Sequence, residues 1–426
     1  GNTLLIGAPL RTAEAGEVFG LTSNRFQSGQ VYMLNLTNFW RSHAEDSSTP
    51  APLNYIIQDA GYTTLDGANC SEASPSTNTP SGPSFRGFSK YEITHPLHIV
   101  GAQPGDQIGE VVSLHDINND GLEDFVIGGP NTNGGNGGVY IIYRRPPEIE
   151  GDYLLENIQR HPNDPDRLNG LFIIGEPGQN LGTALGGGGP LNDDYNKDGF
   201  ADVLIGIPNA TGPAGFNSGQ VFILFGGKNL LNSSGGARIA DLRASGNGML
   251  LTGAAAGDMA GTTVANAGDV NGDGVADILI AAPNASPSGP NASAPFDSDG
   301  DNIPDAIGLD LDGDGEPDDL DQDGRPDNLT NAGVVYVVFG GPHLTGTISL
   351  EKIGTADLPG FMIVGRKAGD FLGGGLTSNG LLSRGVASAG DVDGDGRADI
   401  LISSILADPE GKTNAGEVYL VYGVRP

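Results

Sequence analysis

The chain of 426 residues contains one cysteine, Cys70, and one tryptophan, Trp40. A single thiol cannot build an intrachain disulfide framework, so a fold exposed to an oxidising compartment needs another staple. Lys and Arg number 21 against 53 Asp and Glu, and the resulting formal charge of −32 excludes the basic surface that nucleic acid requires. No apolar run approaches the ~18 to 20 residues of a membrane span. The chain opens Gly1-Asn2-Thr3-Leu4 without Met or a signal peptide, as a processed or cropped chain would. The six histidines, at 43, 95, 98, 115, 161 and 343, form no HExxH pattern, and GxSxG does not occur. Gly411, Lys412 and Thr413 lack the first glycine of a phosphate loop, because Leu406 stands in its place. Motifs for zinc, serine-hydrolase and nucleotide chemistry are therefore missing.

Glycine and proline are abundant, at 70 and 28 residues, which excludes a long-helix or coiled-coil protein. One apolar phrase recurs five times: TLLIGAP (3 to 9), DFVIGGP (124 to 130), DVLIGIP (202 to 208), DILIAAP (277 to 283) and DILISSI (399 to 405). Each is followed by a second, GQVYMLNL (29 to 36), GGVYIIY (137 to 143), GQVFILF (219 to 225), GVVYVVF (333 to 339) and GEVYLVY (416 to 422). Both phrases are β-branched, aromatic and apolar on consecutive positions, which predicts short strands buried on both faces. A third phrase, as in HIVGAQPGDQIG (98 to 109), FIIGEPGQNLG (172 to 182), LLTGAAAGDMAG (250 to 261) and FMIVGRKAGDFLG (361 to 373), closes each unit, and a Gly-rich inner strand follows it. Ile127, Ile205, Ile280 and Ile402 lie 78, 75 and 122 residues apart, and without the stretch 286 to 330 the last interval is 77. Four antiparallel strands per unit of about 76 residues predict an all-β propeller, with a solenoid as the competing architecture.

The acidic residues are not in tails. Twenty-five of the 53 sit in seven short clusters, thirteen aspartates in four loops and twelve in three further repeats. Each of the four loops is a nonapeptide just before an apolar strand. The first carries Asp116, Asn118, Asp120, Leu122 and Asp124 at positions 1, 3, 5, 7 and 9, and the second Asp194, Asn196, Asp198, Phe200 and Asp202. The third carries Asp269, Asn271, Asp273, Val275 and Asp277, and the fourth Asp391, Asp393, Asp395, Arg397 and Asp399. Side-chain oxygens at 1, 3, 5 and 9, a backbone carbonyl at 7 and a glycine at 6 for the turn can wrap one hard cation. Oxygen-only ligation selects Ca²⁺ over zinc or copper, and flexible carboxylates suit it better than octahedral Mg²⁺. Position 12, a bidentate Glu in helix-loop-helix calcium sites, is here the strand residue Ile127, Ile205, Ile280 or Ile402, so position 9 must close the loop. The bland reading of one such tract is a hairpin turn; four copies in phase favour cation sites.

With these loops and phrases the sequence resembles the FG-GAP repeats of integrin α-chain propellers and their bacterial and lectin relatives, over about 1 to 36 and 98 to 426. The resemblance implies a calcium loop between the innermost and second strands of each blade, at the four nonapeptides. It implies about four complete blades and a partial N-terminal one here, and possibly seven in a full protein. The Phe-Gly word survives only as Phe371-Leu372-Gly373, with Ile108-Gly109, Leu181-Gly182 and Ala260-Gly261 as weaker versions, while Gly7-Ala8-Pro9 keeps the second word. No RGD triplet or DxSxS motif is present, so the ligand chemistry of integrins is not carried over.

Two segments interrupt the repeat. Residues 37 to 98 are rich in Ser, Thr and Pro and read as a surface insertion, in which Cys70 is either an unpaired thiol or a bridge to another chain or segment. Residues 286 to 330, between the second and third strands of the third complete blade, hold Asp297, Asp299, Asp301 and Asp305, then Asp310, Asp312, Asp314 and Asp318, then Asp319, Asp321, Asp323 and Asp327. These resemble thrombospondin type 3 calcium repeats and predict up to three or more further Ca²⁺ ions; the alternative is a disordered acidic loop. Seven Asn-X-Ser/Thr sequons, at Asn35, Asn69, Asn209, Asn232, Asn284, Asn291 and Asn328, are compatible with secretion.

The expectation is therefore a non-enzymatic, extracellular, calcium-stabilised propeller without a membrane span in this chain, with an adhesion, protein-interaction, matrix or filament role as the resemblance implies. A calcium-dependent carbohydrate-binding propeller is the alternative, and an enzyme a distant third. The partner is a protein or glycan ligand. TLLIGAP matches the second strand of a unit, so the first inner strand is expected from upstream residues, from the C-terminus, or from another molecule by strand exchange.

Overall fold

A computed structural model describes residues 3–8, 30–35, 97–109, 111–143, 151–159, 168–187, 193–228, 230, 235–286, 329–374 and 385–424. The chain first forms an antiparallel run of β1 (Thr3–Ala8), β2 (Gln30–Asn35) and β3 (Leu97–Val100). A second run begins with β4 (Val111–His115), β5 (Asp124–Gly129) and β6 (Gly138–Ile142). The chain then departs to lay β7 (Gly151–Leu154) parallel to β3 on the first sheet, and returns as β8 (Gly170–Ile174) against β6.

The excursion recurs. β9 (Ala184–Gly186), β10 (Val203–Ile207) and β11 (Gln220–Leu224) are followed by β12 (Gly235–Arg238), parallel to β8, before β13 (Gly248–Thr252) rejoins the third sheet. β14 (Thr263–Gly268), β15 (Asp277–Ala282) and β16 (Val334–Val338) are followed by β17 (Thr347–Ser349), parallel to β13, and then by β18 (Gly360–Val364). β19 (Val386–Gly390), β20 (Asp399–Ser404) and β21 (Glu417–Val421) form the fifth sheet. The protein is a nearly all-β chain of repeated sheets, as a β-propeller requires. Its parallel edge strands add to the four antiparallel strands expected from sequence.

The consecutive apolar runs are explained by packing on both sides. Along β5, Phe125 and Ile127 face the first sheet beside Val31 and Ile99, while Val126 faces the third sheet beside Ile205 and Phe222. Along β15, Ile278 and Ile280 pack with Leu204 and Val221, and Leu279 and Ala281 pack with Ile400 and Ile402. Because side chains alternate, each face of a sheet feeds a different core, and every residue of β5, β10 and β15 is buried. The fifth sheet differs: Leu401, Val418, Leu420 and Tyr422 are exposed on its far face, whereas their counterparts Leu279, Val335, Val337 and Phe339 are buried between sheets.

The glycines of the two signature words form a seam. A Cβ on Gly128 would lie 2.4 Å from the carbonyl oxygen of Gly182, and one on Gly206 would lie 2.1 Å from that of Gly261. These words pack the start of each sheet against its predecessor, where a side chain has no room. Most of the insertions 37–98 and 286–330, including Cys70 and Asp297 through Asp327, lie outside the described residues. Among the described residues no helix is long and apolar enough to cross a membrane.

Candidate metal centres

All four nonapeptides connect the first strand of a sheet to the second: β4 to β5, β9 to β10, β14 to β15 and β19 to β20. Two backbone reversals shape each one. Position 6 has φ of 86°, 91°, 83° and 92° at Gly121, Gly199, Gly274 and Gly396, where glycine is the residue without a steric penalty. Position 4 is also left-handed, at Asn119, Lys197, Gly272 and Gly394.

The position 1 carboxylate gathers the turn. In the first loop Asp116 Oδ1 accepts from the Asp120 N–H at 3.0 Å and Oδ2 from the Gly121 N–H at 2.9 Å. Asp194 does the same with Asp198 and Gly199 at 2.9 and 2.8 Å, Asp269 with Asp273 and Gly274 at 3.0 and 2.8 Å, and Asp391 with Asp395 and Gly396 at 3.0 and 3.0 Å. At position 5, Asp120, Asp198, Asp273 and Asp395 accept from the N–H of Leu122, Phe200, Val275 and Arg397.

Position 9 does more than close the ring. Asp202 accepts from the Tyr195 N–H at 3.0 Å and the Gly226 N–H at 2.9 Å, Asp277 from Val270 and Gly340 at 2.8 and 2.9 Å, and Asp399 from Val392 and Gly423 at 2.7 and 2.9 Å. In the first loop the Asn118 amide donates to Asp124 at 3.0 Å. These four carboxylates are fully buried. Burial is the main cause that pushes the Asp202 carboxyl up to about 8 and that of Asp277 up to about 7, with neighbouring aspartates adding to it.

The donor set fits a hard cation. Asn118 Oδ1 is buried and has no hydrogen-bond donor within the protein, although its amide nitrogen is engaged. Asp391, Asp393 and Asp395 each bring a carboxylate oxygen within 4.8 Å of the others. Each further carboxylate oxygen that takes one backbone N–H keeps a second lone pair for a metal. In the fourth loop Arg397 offsets part of the charge through an Nη1–Asp395 Oδ2 contact of 2.6 Å. The three Asp clusters between 297 and 327 lie outside the described residues.

Two sets of polar residues around the loops were not foreseen from sequence. His115 Nδ1, at the end of β4, lies 3.2 Å from Asp193, and Asp193 accepts from the Asn266 amide of β14 at 2.6 Å, so the start of the second loop is packed against polar groups of the sheets on either side. Buried Asp106 and Asp258 cap the turns before the second and fourth sheets by accepting from the N–H groups of Gln103 and Ala255. Their signal was available as the in-phase aspartate of GDQIG and GDMAG.

A family model for the FG-GAP repeat matches residues 260–295 and 384–421. Integrin alpha-8 of Gallus gallus is 28% identical over 176 residues, which is 39% of this chain and 15% of that protein. Integrin alpha-PS2 of Drosophila melanogaster is 30% identical over 146 residues, 32% of this chain and 9% of that protein, and integrin alpha-IIb of Mus musculus is 29% identical over 143 residues, 32% and 12%. The matched stretches thus span less than a fifth of each relative. The chain carries FG-GAP repeats in these two stretches, its repeated sheets are those of a β-propeller, and it is similar to integrin α chains over part of its length.

Proposed function

We propose that this domain is an extracellular, calcium-stabilised propeller that presents its loops to a protein partner, as an adhesion, matrix or filament module. The observation that carries this reading is the fourfold recurrence of one loop geometry, at the same point of four sheets, with an all-oxygen donor set. Calcium at Asp116, Asp194, Asp269 and Asp391, with their co-ligands at positions 3, 5, 7 and 9, neutralises part of a charge of −32. Outside the cell the ion is abundant and supplies the staple that disulfides do not. The 297–327 repeats add further ions in this reading, and the exposed far face of the fifth sheet offers a surface for self-association.

The carbohydrate-binding alternative rests on Phe216, whose ring is 73% exposed in the loop between β10 and β11 and is free to stack on a sugar. A glycan array probed with and without chelator separates the two: calcium-dependent glycan capture lost in Phe216→Ala selects the lectin reading. The calcium reading itself predicts that EDTA lowers the melting temperature by several degrees and that added Ca²⁺ restores it. An unchanged melting temperature contradicts it.

A further inference from the structure

A dipeptide that follows the third strand touches two cation loops at once, and it does so in three sheets. In the third sheet Gly226 donates its N–H to Asp202 of its own loop at 2.9 Å, and Gly227 donates to the Ile117 carbonyl of the preceding loop at 2.8 Å. In the fourth, Gly340 donates to Asp277 at 2.9 Å and Gly341 to the Tyr195 carbonyl at 2.7 Å. In the fifth, Gly423 donates to Asp399 at 2.9 Å and Val424 to the Val270 carbonyl at 3.0 Å. The accepting groups recur too: always the position 9 carboxylate of one loop and the position 2 carbonyl of the loop before it.

The fit leaves no slack. A Cβ on Gly226 would lie 2.3 Å from the Ala201 carbonyl oxygen of its own loop and 2.7 Å from that of Ile117 in the preceding loop. On Gly340 it would lie 2.2 Å from the Ala276 oxygen and 3.1 Å from that of Tyr195. A shift of either loop therefore moves the shared dipeptide and, through it, the other loop. Adjacent residues 1 and 3 of each loop hold cation ligands, so the accepting position 2 carbonyl lies between two of them.

We infer that these dipeptides are clasps which couple cation binding between neighbouring sheets, so that an ion in one loop raises the affinity of the next. Gly226, Gly340 and Gly423 are positioning residues, and the coupling rests on the reading of the loops as calcium sites. A filled loop fixes its position 9 carboxylate and its position 2 carbonyl, which spares its neighbour part of the ordering that its own ion would have to impose.

The test follows hydrogen exchange of each loop during a Ca²⁺ titration of the intact, chelator-treated chain. The four loops are expected to become protected over one narrow calcium range. Asp194→Ala, which removes the second ion, should raise the midpoints of the first and third loops at least fivefold and move the fourth less. Gly340→Ala endangers folding, so the decisive variant is Val424→Pro, at the end of the fifth sheet. It deletes the donor to Val270, together with a side chain that packs on the core, and should separate the third and fourth midpoints, while Val424→Ala, which loses the same packing but keeps the N–H, leaves them together. Independent midpoints that neither Asp194→Ala nor Val424→Pro displaces overturn the coupling but not the sites. Absence of calcium-dependent protection in every loop overturns the calcium reading and the coupling with it.

Discussion

At the scale of single residues, the buried position 9 carboxylates set a pH dependence whose sign depends on calcium. Asp202 and Asp277 have carboxyl groups raised to about 8 and about 7, against about 4 in an unfolded chain. A raised folded value means that the cation-free native state holds protons which the unfolded chain has released. That contribution to stability is complete below about pH 4 and is lost as pH rises through 7 to 8. Without calcium, then, the melting temperature should rise as the pH falls from 8.5 to 6.5. With saturating calcium the ion takes the place of the proton, and acidification over the same range should weaken binding and reverse the trend. Differential scanning calorimetry at several pH values, with and without chelator, checks both slopes, and Asp277→Asn should flatten the calcium-free one. The positions that gather each turn were legible, because Asp, Asn and Gly recur there at fixed offsets. The backbone partners of Asp202, Asp277 and Asp399 were not, since Gly226, Gly340 and Gly423 come from 24, 63 and 24 residues further along the chain.

At the scale of elements, strands such as DFVIGG and VVYVV were readable because both faces are buried and the apolar run is unbroken. The parallel edge strands β7, β12 and β17 were not. Their sequences, GDYL, GGAR and TIS, lack both the apolar run and clear alternation, and they gain their backbone bonds only from the edge of the preceding sheet. The hairpin β15–β16 shows how a long insertion is tolerated. Ala282 pairs directly with Val334, and the Asn331 N–H donates to Ser286 Oγ at 2.9 Å, so the two ends of the insertion already meet. Closing a longer loop between fixed ends costs only about 0.6 kcal/mol per doubling. Replacing 289–328 with a short Gly-Ser turn should leave the circular dichroism spectrum unchanged and the melting temperature within a few degrees, while lowering the number of bound calcium ions. Collapse of the whole fold on this deletion would show that the insertion is part of the core.

At the scale of the whole molecule, the repeat buries one sheet against the next, and each interface is worth what its apolar side chains bury. The fifth sheet supplies an internal comparison. Val335 is fully buried between sheets, whereas its counterpart Val418 is 69% exposed. Val335→Ser should cost about 2 kcal/mol or more, from a lost side chain and a buried hydroxyl, while Val418→Ser should stay within about 0.5 kcal/mol in urea denaturation. Equal losses would mean that the far face of the fifth sheet is covered in solution. The charge of −32 acts at this scale as well. A loop with Kd of ~10 μM at ~1 mM calcium adds about 2.7 kcal/mol by linkage, so four loops together match the net stability of an ordinary domain.

The central claim is that four loops of one geometry each hold a cation. Anomalous diffraction from crystals grown in calcium-containing buffer tests it most directly. The account predicts one peak within each of the loops beginning at Asp116, Asp194, Asp269 and Asp391, bounded by the side chains at positions 1, 3, 5 and 9. Four well-ordered loops without an anomalous peak would contradict it.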